Sequence, residues 1–496
     1  MTETSDQGMD PLVAGRREKH QEILDRGGYP HRYDRTHLAG ELHREFADLG
    51  PGSETDQRVS VAGRLMLHRS FGKLQFGTLQ DEAGTIQLFV DRATLGDEAA
   101  DRFARVDLGD WVGASGVIMT TRKGELSVRV DDFSLLQKSL RPLPDKWHGL
   151  HDIELRSRRR YVDLMVNEKA RSVARARTVV VGELRRQFET RGFIEVETPV
   201  LLREATGATA RPFATHHHAL DMDMYLRIAT ELFLKRLVVG GLEKVFEIGR
   251  IFRNEGVDST HNPEFTMLEA YQAFADYTDM MTLLEEVIPE VARAVTGHTK
   301  VAYQGQEIDL TPPFRRATMI ELVSERLGHT VDLDSDREDL AVRAGELGIE
   351  VEEGWSEARL ISEIYEEAVE SDIWAPTFVT HQPVEVSPLA RRNPDEPRLA
   401  DRFELVVAGS EYANAFSELN DPDDQRERFE AQAAARAAGD PEAHPVDEDY
   451  LLALEYGLPP TGGIGIGVDR LVMLLTDQAH IREVILFPTL RPDGQP

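Results

Sequence analysis

The sequence contains no cysteine. Disulfides and thiolate metal sites are therefore excluded, and a reducing compartment is the natural setting. Lysine is also scarce: nine of the 57 basic residues are Lys, against 88 acidic residues and a formal net charge of −31. So acidic a shell serves solubility and fits a salt-adapted cytoplasm, and binding of a polyanion then requires a local basic patch. No uncharged apolar run reaches the roughly 18 residues of a membrane span. The opening stretch MTETSDQGMDPLVAGRREKH lacks the basic start and apolar core of a signal peptide, so a cytoplasmic protein is expected. Also missing is a dinucleotide fingerprint: in TGGIGIGVDR the sixth position from Gly463 is Val468, and from Gly465 it is Arg470. What remains there is a close-packed glycine strand ending in Asp469-Arg470, where a backbone can approach a phosphate-bearing ligand.

What is present is the composition of a soluble globular protein, 41% hydrophobic and 29% charged over 496 residues. That length predicts roughly two to four domains. Residues 1–56 are polar and helix-prone and read as an extension ending at the Pro51–Ser53 break. From Val59, short alternating runs broken by Gly or charged turns predict a small β-barrel of about five strands, within a domain at 57–143. SLRPLPDKWHG is a linker, and residues 144–496 form a larger α+β domain around an antiparallel or mixed sheet. Its acidic amphipathic stretch at about 311–372 reads as a helical insertion.

Chemistry concentrates in a few places. His216, His217 and His218 are consecutive, and in a strand they alternate faces, so they cannot easily share one zinc ion. VFEIGRIFRNE, the polar loop GVDSTHNP and EFTMLEAYQAF form a β-hairpin. Period two puts Met267, Glu269, Tyr271 and Ala273 on one face, with Arg253 on the partner strand. For one hairpin alone, a satisfied salt-bridge network explains this equally well. The pattern recurs, however, in Glu404, Glu411, Asn414, Phe416 and Glu418, and in Glu231 at the start of ELFLKRL. With Glu255, Glu264 and Glu269, that is more carboxylate than a sheet buries unless cations pair it. A divalent metal and a ligand ammonium are the two candidates.

These residues resemble the class II aminoacyl-tRNA synthetases, and within them the lysyl-tRNA synthetase family, from about Val59 to the end of the chain. RGFIEVETPVL with Pro199 is similar to motif 1, the dimer interface of the family; FRNEGVDSTHNPEFT is similar to motif 2, and GIGIGVDRLVMLL to motif 3. The resemblance implies an OB-fold anticodon-binding barrel and an antiparallel-sheet catalytic domain with flanking helices. It implies that Arg253 bridges the ATP α-phosphate and the amino-acid carboxylate, that His261 and Arg470 contact the β- and γ-phosphates, and that Phe265 stacks on adenine. Glu255, Asn262 and Gly467 complete the nucleotide site, and Glu404 with Glu411 holds Mg²⁺, for which oxygen ligands are apt. Gly207 and Glu231 take the α-amino group, while Glu269, Tyr271, Asn414, Phe416 and Glu418 form the side-chain pocket. Arg69, Phe76 and Gln87 read the anticodon, in keeping with aromatic and polar recognition of unstacked bases.

The expected reaction is ATP-dependent ligation of L-lysine to tRNA(Lys) through an adenylate, by a homodimer. Aspartate, the substrate of sister enzymes, needs a cationic partner for its side chain, whereas these carboxylates and a phenol suit an ammonium. Ornithine is expected to be disfavoured by only about 1–3 kcal/mol. Two alternatives remain at this stage: a paralogue that lysylates a protein, whose relatives lack the barrel, and an aspartate- or asparagine-specific relative. A non-catalytic descendant would show erosion of Arg253, His261, Glu411 or Arg470, all of which are present. One departure is Thr260 beside His261, where the family usually carries Arg, which removes a contact to the tRNA acceptor end. The basic runs RREKH, HRSFGK and RSRRR all lie in the first third of the chain.

Overall fold

The computed structural model describes residues 10–144, 152–204, 206–207, 210–352, 354–437 and 445–492. The predicted linker lies partly outside these, at 145–149. The chain forms two compact units, Met1–Gly149 and Leu150–Pro496.

In the first unit, β1 (Glu54–Phe71), β2 (Leu74–Gln80), β3 (Thr85–Asp91), β4 (Trp111–Thr120) and β5 (Leu126–Gln137) pair in the order β1-β2-β3-β5-β4, and β4 returns to β1. Strict alternation does this: Val59, Val61, Leu65, Leu79, Leu88, Val128 and Val130 point inward and are buried. The N-terminal stretch is more than an appendage. Helix α1 (Pro11–Asp25) buries none of its residues, but α2 (Ala39–Glu45) sends Ala39 and Leu42 into the barrel core. Its start is fixed by Glu41 accepting from the Leu38 N–H at 2.7 Å and Asp81 accepting from the Ala39 N–H at 2.7 Å.

The second unit is built on one eight-stranded sheet. In chain order its strands are β6 (Ile194–Glu195), β7 (Lys244–Phe252), β8 (Glu264–Ala273), β9 (Arg315–Thr318), β10 (Thr377–Thr380), β11 (Arg402–Val407), β12 (Ser410–Ser417) and β13 (Thr461–Gly467). They lie side by side as β9-β10-β11-β12-β13-β8-β7-β6. The two outer pairings are parallel and the five between them antiparallel. In the stretch expected to be helical, Arg315–Thr318 instead forms edge strand β9, because its parallel pairing with Thr377–Thr380 supplies hydrogen bonds that local propensity does not foresee. Helices then follow at Met319–Leu327, Arg337–Glu346 and Glu357–Ala368, around their own core.

The sheet has one oily and one polar face. Leu268, Ala270, Phe403, Leu405, Ala413, Ala415, Ile464 and Ile466 face the main core, packed on α3 (Glu168–Thr190) and the helix Tyr277–Thr296. Their sequence neighbours point the other way, and that face carries the candidate site.

Candidate active site

Strand register arranges the polar face in rows. Across β7, β8, β13, β12 and β11, Glu247, Glu269, Gly465, Asn414 and Glu404 are successive partners; one row along, Tyr271, Gly463, Phe416 and Arg402 are. The glycines of GGIGIGV thus alternate with Ile464 and Ile466, which fill the core, and leave a bare floor between Glu269 and Asn414 and between Tyr271 and Phe416. This explains the glycine-rich strand without a dinucleotide fingerprint.

The two carboxylates that face each other across β7 and β8 differ in their surroundings. Glu247 is answered by Arg227 at 2.5 Å and by the N–H and hydroxyl of Thr198 at 3.0 and 2.7 Å, a complete ion pair. Glu269, 5% exposed, accepts only from the Thr230 N–H at 3.3 Å, and its Oε2 is buried without a hydrogen-bond partner. Burial, reinforced by Glu231, pushes its carboxyl up to about 7 against the opposing Thr230 hydrogen bond and Arg253. Glu418, 2% exposed, likewise has Oε1 without a hydrogen-bond partner, and burial raises its carboxyl well above the ordinary range despite Lys235. Burial and the same three glutamates keep the Tyr271 phenol neutral. Gly207, at φ +98°, lies beside the start of α4 (Glu231–Val239), where a β-carbon would stand 3.4 Å from Leu232. Buried carboxylate oxygens with no donor are suited to a cationic ligand.

Toward the loop end of β8 the polarity reverses. Arg253, one residue beyond β7, lies with its guanidinium 5.4 Å from the Phe265 ring centroid and with Nε buried and unpartnered. His261 is oriented by Asp258, whose carboxylate accepts from the His261 backbone N–H at 2.7 Å and lies 2.8 Å from Nδ1. Burial acts the other way, yet hydrogen bonds from His261 and Thr260 bring the Asp258 carboxyl down to about 2. His261 Nε2 is 3.4 Å from Arg470, which donates to the Glu411 carbonyl at 2.7 Å. Asn262 donates to the Glu264 carbonyl at 2.6 Å and keeps a buried, unpartnered Oδ1. Glu255 is exposed in the loop, and Gly467 precedes the helix Val468–Thr476 that carries Arg470. Arg253 against the flat Phe265 ring, and His261 beside Arg470, are forked and ring N–H donors of the kind an anionic ligand takes.

Glu411 lies 3.5 Å from Arg470, and Glu404 is on the adjoining strand β11. Glu404 accepts from Arg402 at 2.7 Å and from Asn414 at 3.4 Å; burial raises its carboxyl, Arg402 opposes this, and Glu411 adds to it. Burial with Glu404 and Glu411 lifts Glu370 to about 7. Among the described residues no three His, Asp or Glu side chains converge as a metal cage. Two carboxylates and no cage is a fit for Mg²⁺, which binds through one or two carboxylates plus substrate phosphates.

The description "tRNA synthetases class II (D, K and N)" matches residues 152–491, and "OB-fold nucleic acid binding domain" matches 59–136. A lysine–tRNA ligase of Nostoc punctiforme is 54% identical over 98% of this chain and 88% of its own length. One from Prochlorococcus marinus is 54% identical over 98% of each chain, and one from a Synechococcus species 54% identical over 98% of this chain and all of its own. The chain belongs to the class II lysine–tRNA ligases.

In this ligase the barrel presents an exposed aromatic patch. Phe76 is half-buried on the outer face of β2, paired with Arg69 on β1 and Phe89 on β3, and outside the barrel core. Its ring stands edge-on to Phe89 at 5.4 Å and Phe71 at 6.0 Å. Gln87 donates to Ser127 at 2.9 Å, and Arg69 is exposed. Sequence reasoning missed Phe71 and Phe89, although the outward alternation of QLFVD marks Phe89. It also missed Glu370, Asp258, Lys235 and Tyr450; nothing local in ELFLKRL or EDYLLAL separates the last two from ordinary helix positions.

Proposed function

We infer that this ligase joins L-lysine to tRNA(Lys) in two steps, through lysyl-AMP, with release of pyrophosphate and then AMP. The observation that carries the reading is the buried, donor-free pair of oxygens on Glu269 and Glu418, set in a chain 54% identical to lysine–tRNA ligases along almost all its length. In this reading the lysine ε-ammonium enters beside Glu269, Glu418, Tyr271, Asn414 and Phe416, and the α-ammonium meets Glu231 and the Gly207 backbone. Its carboxylate reaches Arg253, which also takes the ATP α-phosphate; forked donors suit such shared anions. Phe265 stacks on adenine, with Glu255, Asn262 and Gly467 around the nucleotide and His261 and Arg470 on its outer phosphates. Glu404 and Glu411 would hold Mg²⁺, which would neutralise charge at the phosphates.

Catalysis is positioning and electrostatics: Arg253 orients the attacking carboxylate and stabilises charge at the α-phosphate, while Asp258 fixes the imidazole of His261. Aspartate is a poor fit, since its side-chain carboxylate would meet Glu269. The Phe76, Arg69 and Gln87 surface reads the anticodon, which supports tRNA rather than a protein as acceptor. Exposed Ile194 on β6, with exposed Val200 and Leu201 shortly after it, fits a homodimer contact at motif 1. Among the described residues no helix is long and apolar enough to cross a membrane, and the absence of cysteine supports a cytoplasmic setting. Aminoacylation of tRNA transcripts with labelled lysine and ATP tests the function: charging of tRNA(Lys) alone is expected, and charging with aspartate would overturn it.

A further inference from the structure

The pocket already contains a lysine of its own. Lys235, one turn into α4, is fully buried, with Nζ 2.5 Å from Glu231 Oε1 and in contact with Glu418 Oε2. It faces the rings of Phe416 at 5.3 Å, Tyr271 at 5.9 Å and Tyr450 at 6.0 Å; Tyr450 comes from α5 (Glu448–Glu455). Such a Glu–Lys pair, four residues apart in a helix, is ordinarily a solvated surface feature. Here both partners belong to the wall of the amino-acid site. Lys235 meets Glu418 on its Oε2 side, while Oε1 of Glu418 and Oε2 of Glu269 are buried without a hydrogen-bond donor.

We propose that Lys235 is a built-in counter-ion that matches the charge of the amino-acid pocket to a diammonium substrate and eases the ionisation of Glu418 as that substrate enters. Three carboxyl groups, Glu231, Glu269 and Glu418, stand against one built-in ammonium, so in the lysine-bound state the α- and ε-ammonium groups bring the ammonium count to three and match them, while the substrate carboxylate turns to Arg253. The charged or titratable groups facing this cluster come from every packed element: Glu231 and Arg236 on α4, Glu269 and Tyr271 on β8, Glu418 after β12, Tyr450 on α5, and Arg253. Arg236 is engaged by Asp447 at 2.9 Å and is not available to replace Lys235. Without the Lys235 ammonium, Glu418 is a buried carboxylate with no cation against it. Such a group retains its proton, and the substrate must then expel that proton in order to bind. Lys235 is thus a positioning residue, acting through Glu418. The inference rests on the assignment of this pocket to lysine.

The test is Lys235→Met, read by lysine-dependent ATP–pyrophosphate exchange across pH and by calorimetry of lysine binding in two buffers of different ionisation heat. The lysine KM is expected to rise at least tenfold near neutral pH, a deficit that narrows as pH rises and Glu418 ionises unaided. ATP KM and kcat at saturating lysine stay within about threefold, and more protons are released per lysine bound than by the native enzyme, by up to about one. A KM ratio that is constant across pH, with unchanged proton release, overturns the proposal and leaves Lys235 a packing residue. If Lys235→Met does not fold, Lys235→Arg, which keeps the charge, should release no more protons than the native enzyme; extra release from it refutes the idea. Glu269→Gln separates the two levels: a native lysine KM in that variant overturns the pocket assignment itself.

Discussion

Gly463→Ala places one methyl group in the floor of the amino-acid site, and the structure fixes what that methyl meets. On β13, between Tyr271 and Phe416, the added carbon would overlap Glu418 Oε1 and stand 2.5 Å from Tyr271 Cε1. Neither neighbour is free to retreat: Glu418 is held by Lys235, and Tyr271 is 3% exposed in a packed cluster. Overpacking of this kind costs about 1–3 kcal/mol of stability. The functional cost is separate, because the displaced oxygen is the one without a donor. Losing one charge-assisted contact to the substrate ammonium costs about 1.5–3 kcal/mol, roughly a 10- to 150-fold rise in lysine KM. Lysine-dependent ATP–pyrophosphate exchange reads this directly, with ATP KM as the internal control. Gly465→Ala should be gentler on stability, since its added carbon is crowded by the flexible end of Met267 at 3.0 Å and otherwise stands at ordinary contact distance, 3.9 Å, from Asn414 and Glu269. A Gly463→Ala enzyme whose lysine KM lies within twofold of native would refute the argument that Glu418 Oε1 receives the substrate.

Three further outcomes follow from other parts of the structure. Because Glu269 titrates at about 7, it carries a proton in the empty pocket below that pH and cannot pair with an ammonium; lysine KM should rise as pH falls through about 7, by up to about tenfold per unit. The sign for stability is opposite: a carboxyl raised in the fold makes the empty enzyme less stable as pH rises from the ordinary carboxylate range toward 7, so the thermal shift produced by lysine should be larger at about pH 8 than at about pH 6. Asp258→Ala releases His261 from its 2.8 Å partner and should raise ATP KM about tenfold while lysine KM stays put, in the same exchange assay. Phe76→Ala removes a stacking platform worth about 1–3 kcal/mol per base, so KM for tRNA should rise roughly 5- to 150-fold in aminoacylation with exchange unaltered.

Much of this architecture was legible in the residues, for reasons that differ by element. The barrel could be read because its strands bury one face each, so alternation at Val59, Val61 and Leu65 is visible along the chain. Strand β8 could be read for a rarer reason: both its faces are buried, one by Leu268 and Ala270 and the other around Glu269 and Tyr271, and a carboxylate at a buried strand position is conspicuous. Strand β9 was not legible, since Arg315–Thr318 is strand only by virtue of a partner some sixty residues away. The role of α2 was hidden for a similar reason, because two small apolar residues in a polar segment do not reveal a barrel waiting to be plugged. Lys235 and Tyr450 escaped because their significance lies in convergence: helix α4, strand β8, the end of β12 and helix α5 meet at one ammonium. Glu247 and Glu269 show the same limit, since sequence marks both as strand carboxylates and only the fold shows that Arg227 answers one while the other keeps a buried oxygen without a donor.

The central claim is that buried carboxylate oxygens without donors select an ammonium side chain. The most direct test is amino-acid-dependent ATP–pyrophosphate exchange with lysine, ornithine, aspartate and asparagine, repeated with Glu269→Gln. The account predicts exchange with lysine, weaker exchange with ornithine by about 1–3 kcal/mol, none with aspartate or asparagine, and loss of the lysine signal in the variant. Exchange driven by aspartate, or lysine exchange that survives Glu269→Gln unchanged, would contradict it.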